Sequence, residues 1–432
     1  MTAISSRDLR LEMKRQELRR LDRELSRFLD QLLGDLGKPA QRSAALYVLG
    51  LLLDGERKSI APMAARLSDH EQETEALRQR LQEAVVISAW SHDDVFRRLA
   101  RLVDKRLPDV QALVIDDTGF AKKGNHSVGV ARQYSGTLGR VDNCQVAVSV
   151  HVAGESGSAC TGLELYVPEG WIVDLSRRKK AGIPDALHAR TKWQIAIELL
   201  DKALAAGVRK HAVLADAGYG ETLEFRHALI ERGLDFVVGV NGVAVVWPPE
   251  ANPQLRRTPD RDGYKRAKWV DAKHPPLAIK ELAKNLDYRR VSWREGTKGT
   301  QSGRFAAVRV CPAPEHGRGR EPEQPLWLVV QWSDEENAPW KFWLSNLPAA
   351  TSLRRLVWLA KLRWRVERDY QDLKGEVGLD HYEGRTWRGF HHHATLCSVA
   401  HAFLALQKAL FSPIDHTVDA ASRESQIAAG PA

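Results

Sequence analysis

Four residues in the stretch Ala360–Arg385, AKLRWRVERDYQDLKGEVGLDHYEGR, are spaced for joint work: Arg363, Glu367, Tyr370 and Lys374. Arg, Lys, Leu, Glu and Gln favour helix, and no Gly or Pro interrupts Leu353–Lys374, so this segment predicts one helix. Steps of 4, 3 and 4 residues then align the four side chains on one stripe. A carboxylate on such a stripe can hold a metal ion, and cations a turn away can hold nucleic-acid phosphates beside it. The same spacing also describes an ordinary Arg363–Glu367 pair on a solvated face.

Two other carboxylates stand at the ends of apolar runs. Asp117 follows ALVI in the sequence Asp116-Asp117-Thr118-Gly119, and Asp216 follows HAVLA. Three carboxylates offer hard oxygen ligands, which suit Mg²⁺ or Mn²⁺ rather than zinc. Two such ions about 3.5–4 Å apart activate a water or a 3′-hydroxyl and stabilise the leaving oxygen in phosphodiester transfer. That chemistry needs little beyond carboxylates around the metal.

The elements that must position these groups follow from the patterning. Residues 1–100 read as helical: Arg7–Leu33 is charged and amphipathic, Ala44–Leu53 is apolar all round, and Ile60, Met63, Ala64 and Leu67 repeat at helical spacing after Arg57 and Lys58. Such a unit suits DNA binding and suits a plain bundle equally well. From Ala112 the pattern changes to Val-rich alternation, with three meandering strands, then a helix over Arg190–Ala206, a strand ending at Asp216, a helix over Glu221–Arg232 and a strand at LDFVVGVN. Residues 243–346 read as a β-rich insertion opened by the Pro- and Arg-rich loop WPPEANPQLRRTPDRDG. The segments are therefore 1–100, a helical region; 105–242 and 347–412, the two parts of a mixed α/β core that carries the carboxylates; 243–346, the insertion; and 413–432, a polar tail expected to be disordered.

The totals agree with an anionic partner. The chain has 432 residues and a net charge of +9, with a pI near 9.3. Its four cysteines form no CxxC pair, which argues against zinc ribbons and disulfide frameworks and for a reducing, cytoplasmic compartment. No signal peptide and no membrane-length apolar run is present in the sequence.

Several motifs together resemble the DDE transposases of bacterial insertion sequences, most of all the IS seven-oh-one type within the IS-four-like group. They are VIDDTGFAKKG, SVGVARQYSGTLGRVDNCQVAVSV, LADAGYG and RWRVERDYQDLKGEVGLDHYEGRTWRGFHHHATL. The resemblance spans about residues 40–410. It implies an α+β protein with a ribonuclease-H-like catalytic core interrupted by a β-rich insertion, and metal-dependent DNA cleavage and strand transfer. Two Mg²⁺ ions are implied as cofactors, with Mn²⁺ able to substitute. The implied partners are double-stranded DNA, as transposon ends and target, and a second copy of the chain in a homodimeric synaptic complex.

Carried over residue by residue, the resemblance makes Asp117, Asp216 and Glu367 the catalytic metal ligands, with Asp116 the neighbour and rival of Asp117. The wider group has a Tyr-Arg-Glu-Lys signature; Arg363, Glu367 and Lys374 keep its spacing, whereas Ala360 stands where the Tyr belongs. Arg363 and Lys374 become expected phosphate contacts. In the insertion, Trp293 beside Arg294 and Lys298 is the expected site for stacking on an unpaired base. The three histidines His391–His393 point three ways on a helix, so a structural role is expected of them. Two alternatives remain beside transposition: a non-catalytic DNA-binding descendant, and a metal-dependent nuclease that does not rejoin ends.

Overall fold

The computed structural model describes residues 6–259, 265–296, 299–313 and 324–411. Lys298 and the segment 413–432 lie outside the described residues. Fourteen strands are present among those described: β1 (Val110–Ala121), β2 (Ala131–Ser135), β3 (Arg140–Gly154), β4 (Ser158–Tyr166), β5 (Ala212–Ala215), β6 (Phe236–Val240), β7 (Val245–Trp247), β8 (Gln254–Pro259), β9 (Lys265–Val270), β10 (Leu277–Ala278), β11 (Arg289–Gly296), β12 (Gly299–Pro312), β13 (Leu326–Ser333) and β14 (Ala338–Ser345).

Twelve of them form one mixed sheet in the order β10-β7-β12-β13-β14-β6-β5-β1-β3-β2, with β11 beside β12 and β4 beside β3. β8 and β9 pair separately. At its centre β1, β5 and β6 are parallel, and β3 and β4 continue the sheet antiparallel to their neighbours. The parallel steps are made through helices, Lys192–Ala205 before β5 and Leu223–Glu231 before β6. A parallel pair needs such a crossover because a hairpin cannot turn the chain through it.

β4 was not among the expected strands. SACTGLELY is rich in small residues and lacks clear alternation, yet all but its last residue is buried, because the helix Trp387–Phe411 covers it. The expected insertion does carry strands, but apart from the β8–β9 pair they are not a separate sheet. β14 pairs antiparallel with β6, Phe342 opposite Val240 through Ser345 opposite Val237, so β7 and β10–β14 extend the central sheet.

The helical N-terminal region is likewise built into the body. Its helices pack around Trp387–Phe411: Phe28 meets Phe403 at a centroid separation of 5.5 Å, Tyr47 Oη lies 2.9 Å from His393 Nδ1, and Trp90 stacks on His392 at 3.7 Å. His391, His392 and His393 are all buried and face different partners.

Candidate active site

β1 owes its position to its apolar half. Leu113, Val114 and Ile115 are fully buried, each such side chain contributing about 1.5–3 kcal/mol by leaving water. Successive side chains alternate across the sheet, so Asp116 and Asp117 leave β1 on opposite faces. Their cross-strand partners on β3 are Ser149 and Val148 respectively.

Asp116 faces the two helices Leu353–Leu362 and Trp364–Gly375. One helix was expected here, and the chain instead breaks at Arg363, where Val366 N–H bonds the Arg363 carbonyl at 3.1 Å in a tightened turn. The break has no Gly or Pro to announce it. It carries a side chain that reaches inward: Arg363 Nη1 donates to Asp116 Oδ2 at 2.6 Å, and Nη2 donates to Glu367 Oε1 at 3.1 Å. One guanidinium fork thus bridges two carboxylates.

Asp216 caps the short turn Ala217–Gly220, its Oδ1 accepting the Gly218 N–H at 2.9 Å. The turn lies tight against β6. A Cβ on Gly220 would come within 2.0 Å of the Gly239 carbonyl, and one on Gly239 within 2.9 Å of the Ala217 nitrogen. Two glycines in contact therefore set the depth of Asp216.

The register of β1 with β5 runs Ala112 to Ala212, Leu113 to Val213 and Val114 to Leu214. Asp216 keeps an extended backbone, so the same register carried two residues further sets Asp116 level with Asp216. Burial pushes the Asp116 carboxyl up to about 6; Arg363 opposes the shift, and Asp216 adds to it. Asp117 stands apart from this group. Its carboxylate is ion-paired with Lys192, on the helix that packs against the other face.

The remaining members of the expected stripe turn inward. Lys374 Nζ donates to the Gly119 carbonyl of β1 at 2.9 Å, and burial lowers its pKa. Tyr370 Oη lies 2.6 Å from Ser149 Oγ, which lies 2.9 Å from His151 Nε2; His151 Nδ1 is 2.7 Å from Asp369 Oδ2, and Ser158 donates to Asp369 Oδ1 at 2.6 Å. Burial opposes the His151 charge, but neighbouring Cys160 and Asp369 outweigh it and push the imidazole up to about 10. Burial also opposes the Asp369 charge, yet its bond to His151 holds the carboxyl below its ordinary value. A buried ion pair therefore underpins the phenol beside Asp116. Composition and spacing carry no signal for this chain, because its members come from β3, β4 and the Trp364–Gly375 helix.

In the insertion, Trp293 is half-buried. It packs edge-on against Phe305 at 5.5 Å and beneath the Lys361 ammonium at 4.9 Å. The Arg294 guanidinium lies 3.8 Å over the ring of Trp364, next in sequence to Arg363. β11 is thereby docked against the helices that carry Arg363 and Glu367.

The donor set Asp116, Asp216 and Glu367 consists of carboxylate oxygens alone, the kind that hard divalent cations take. Among the described residues, the three do not converge to within 4.8 Å of one another; the group that does is His92, Glu164 and His391, elsewhere in the fold.

A stretch of 129 residues, 30% of the chain, is 36% identical to the probable transposase for insertion sequence element IS701 from Microchaete diplosiphon, and spans 31% of that relative's length. The piggyBac transposase synaptic complex with hairpin DNA aligns with 90% of this chain and 75% of that one at 12% identity and a TM-score of 0.36, below what marks a shared fold. The family model of the DDE superfamily endonucleases matches residues 31–300, a span that includes Asp116, Asp117 and Asp216 and ends before Glu367. With well over half of the chain matched, this protein belongs to the DDE superfamily endonucleases.

Proposed function

We propose that the protein is a transposase that cleaves DNA at the ends of its own element and joins the freed 3′-hydroxyl to target DNA. The observation that carries the reading is the level placement of Asp116, on β1, and Asp216, directly after the neighbouring parallel strand, with Glu367 tied to Asp116 through Arg363. The likeness to the probable IS701 transposase supports it over 31% of that relative's length. The antiparallel strands β1, β3 and β4, with β2 on the edge of β3, followed by the parallel β5 and β6 reached through helices, support a ribonuclease-H-like core.

Asp116, rather than Asp117, takes the role of first ligand here, because Asp117 leaves the opposite face of β1 and is neutralised by Lys192. Asp116, Asp216 and Glu367 would hold Mg²⁺, or Mn²⁺ in its place. When bound, the ions supply the activated water or 3′-hydroxyl and the stabilised leaving oxygen. Arg363 offers a planar fork already within a helical turn of these carboxylates, suited to two phosphate oxygens of a DNA strand brought to them. Lys374 holds the far end of β1 to the Glu367 helix, which fixes the spacing between the acids. Arg294, stacked on Trp364, brings the insertion to the same edge and provides a further cation for the backbone. Two element ends must be paired before joining, so a homodimer on DNA is part of the proposal, as is action in the bacterial cytoplasm.

The test is incubation of the purified chain with a duplex carrying the inverted repeat that flanks its gene, with Mg²⁺ and a target plasmid. Nicking at the repeat followed by joined products is expected. Nicking without joining would identify a nuclease, and binding without either would identify a DNA-binding descendant.

A further inference from the structure

The start of the helix His92–Arg106, strand β4 and the helix Trp387–Phe411 meet at His92, Glu164 and His391. One ligand atom from each lies within 4.8 Å of the others. His391 Nε2 is 3.8 Å from Glu164 Oε2, and His92 Nε2 is 4.0 Å from the same oxygen. These gaps are too long for hydrogen bonds. Around a tetrahedral ion with bonds of about 2.0–2.1 Å the ligand atoms stand roughly 3.4 Å apart, so shifts of about 1 Å would close the group on one cation.

Each member is prepared by its neighbours. His391 Nδ1 donates to the Trp387 carbonyl at 2.9 Å, which fixes the proton on that nitrogen and leaves Nε2 as the unprotonated one. The present contact of Nε2 is the Leu165 N–H at 3.3 Å, a long bond. Arg190 holds Glu164 Oε1 at 3.1 Å, leaving Oε2 turned to the two rings. The His92 ring makes no hydrogen bond among the described residues, although it is mostly buried, and it lies 4.6 Å from the ring of His391. Asp93 Oδ1, 3.8 Å from His92 Nε2, is paired with Lys202 and stands outside the group of three.

We propose that His92, Glu164 and His391 form a second metal site, for a first-row transition cation of the zinc class. Two imidazole nitrogens and one carboxylate favour such an ion over Mg²⁺, which prefers oxygen throughout. The site is separate from the carboxylates of the candidate active site. Glu164 pairs across to Val148, and Val148 to Asp117, so it lies two strands from β1 and on the face away from Asp116. A cation there would join the N-terminal helices, the sheet edge and the C-terminal helix at one point.

Co²⁺ is the probe, titrated into the full chain carrying Asp116→Asn, Asp216→Asn and Glu367→Gln so that the catalytic acids take no ion. One equivalent is expected to give the intense visible bands of four- or five-coordinate Co²⁺. Zn²⁺ should bleach them, and millimolar Mg²⁺ should not. Adding His92→Ala or Glu164→Gln to that background should abolish the bands. Substituting His92 at the rim of the site carries the test even where His391→Ala fails to fold, and thermal melting without metal verifies that each variant is folded. An unchanged spectrum in folded His92→Ala and Glu164→Gln chains, or no bands in the parent, would overturn the proposal and leave the gap to a water molecule.

Discussion

Asp116 lies level with Asp216, which directly follows the neighbouring parallel strand, while the adjacent Asp117 is turned to the far face and paired with Lys192. This relationship separates two acids that stand side by side in the chain. Asp116→Asn is expected to reduce single-turnover cleavage by about a thousandfold or more, equivalent to roughly 4 kcal/mol of barrier. Asp117→Asn should stay within about tenfold of the parent, a change worth some 1.4 kcal/mol. Loss of cutting confined to Asp117→Asn would move the metal to the other face of β1.

The raised carboxyl of Asp116 makes stability depend on pH in an uncommon direction. An unfolded Asp titrates near 3.9, and the folded one near 6, so between these values the native state binds the extra proton. That contribution is complete below about pH 4 and disappears as the pH rises through 6, a change on the order of 3 kcal/mol. Asp116→Asn removes it. In EDTA, the melting temperature of Asp116→Asn minus that of the parent should therefore climb between pH 4 and 6 and then level off. A difference that is flat across this range would show that Asp116 titrates normally.

Arg363 is the cation that opposes this protonation, and it bridges the two acids. Arg363→Ala should leave the chain folded, slow cleavage by about 10²–10³-fold, and move the acid limb of the pH–rate profile upward. Arg363→Lys should not restore the rate, since a point charge cannot bond both carboxylates, or two phosphate oxygens, from one plane. Recovery by Lys would reduce the role of Arg363 to its charge.

The pair His151–Asp369 tests the support beneath Tyr370. Asp369→Asn leaves a buried imidazole without its counter-charge, and a loss of about 3–5 kcal/mol is expected in urea unfolding at pH 7. Tyr370→Phe removes one hydrogen bond and should cost about 1 kcal/mol. Equal costs for the two variants would mean that the ion pair does not dominate the network.

Gly239→Ala addresses the depth of Asp216. The new methyl would sit 2.9 Å from the Ala217 nitrogen and 3.1 Å from the Asp216 carbonyl carbon. A stability loss of about 1–3 kcal/mol is expected, together with a much larger fall in cleavage, because the acid is displaced from Asp116. Activity that falls only in proportion to the unfolded fraction would show that the turn tolerates the shift.

Apolar runs ending in acids, the alternation of helices and strands around Asp216, and the strands of residues 289–345 were all legible in the sequence, since each rests on local periodicity. The mixed α+β class followed from their order. Whatever depends on pairing was not legible. Asp116 and Asp117 differ only in which face they leave, which a register decides and a motif does not. Lys374 was expected at phosphate and is found on the Gly119 carbonyl, because stripe spacing does not say which way the stripe turns. The break at Arg363 has no helix-breaking residue; it reflects the pull of a tertiary ion pair on a sequence with good helix propensity. β4 was hidden by small residues, and the docking of the N-terminal helices on Trp387–Phe411 by the absence of any long-range signal.

The pairing of β6 with β14 joins strands about a hundred residues apart, and this bears on how the chain reaches its native state. Closing so long a loop is costly before any contact rewards it, so the centre of the sheet should knit late and slowly. On the ribosome, β5 and β6 emerge well before β14, and the free edge of β6, with Phe236–Val240 all buried in the finished protein, waits unpaired. An open apolar edge is a template for the wrong partner. The topology itself thus imposes an interval in which this edge must stay open until β14 arrives.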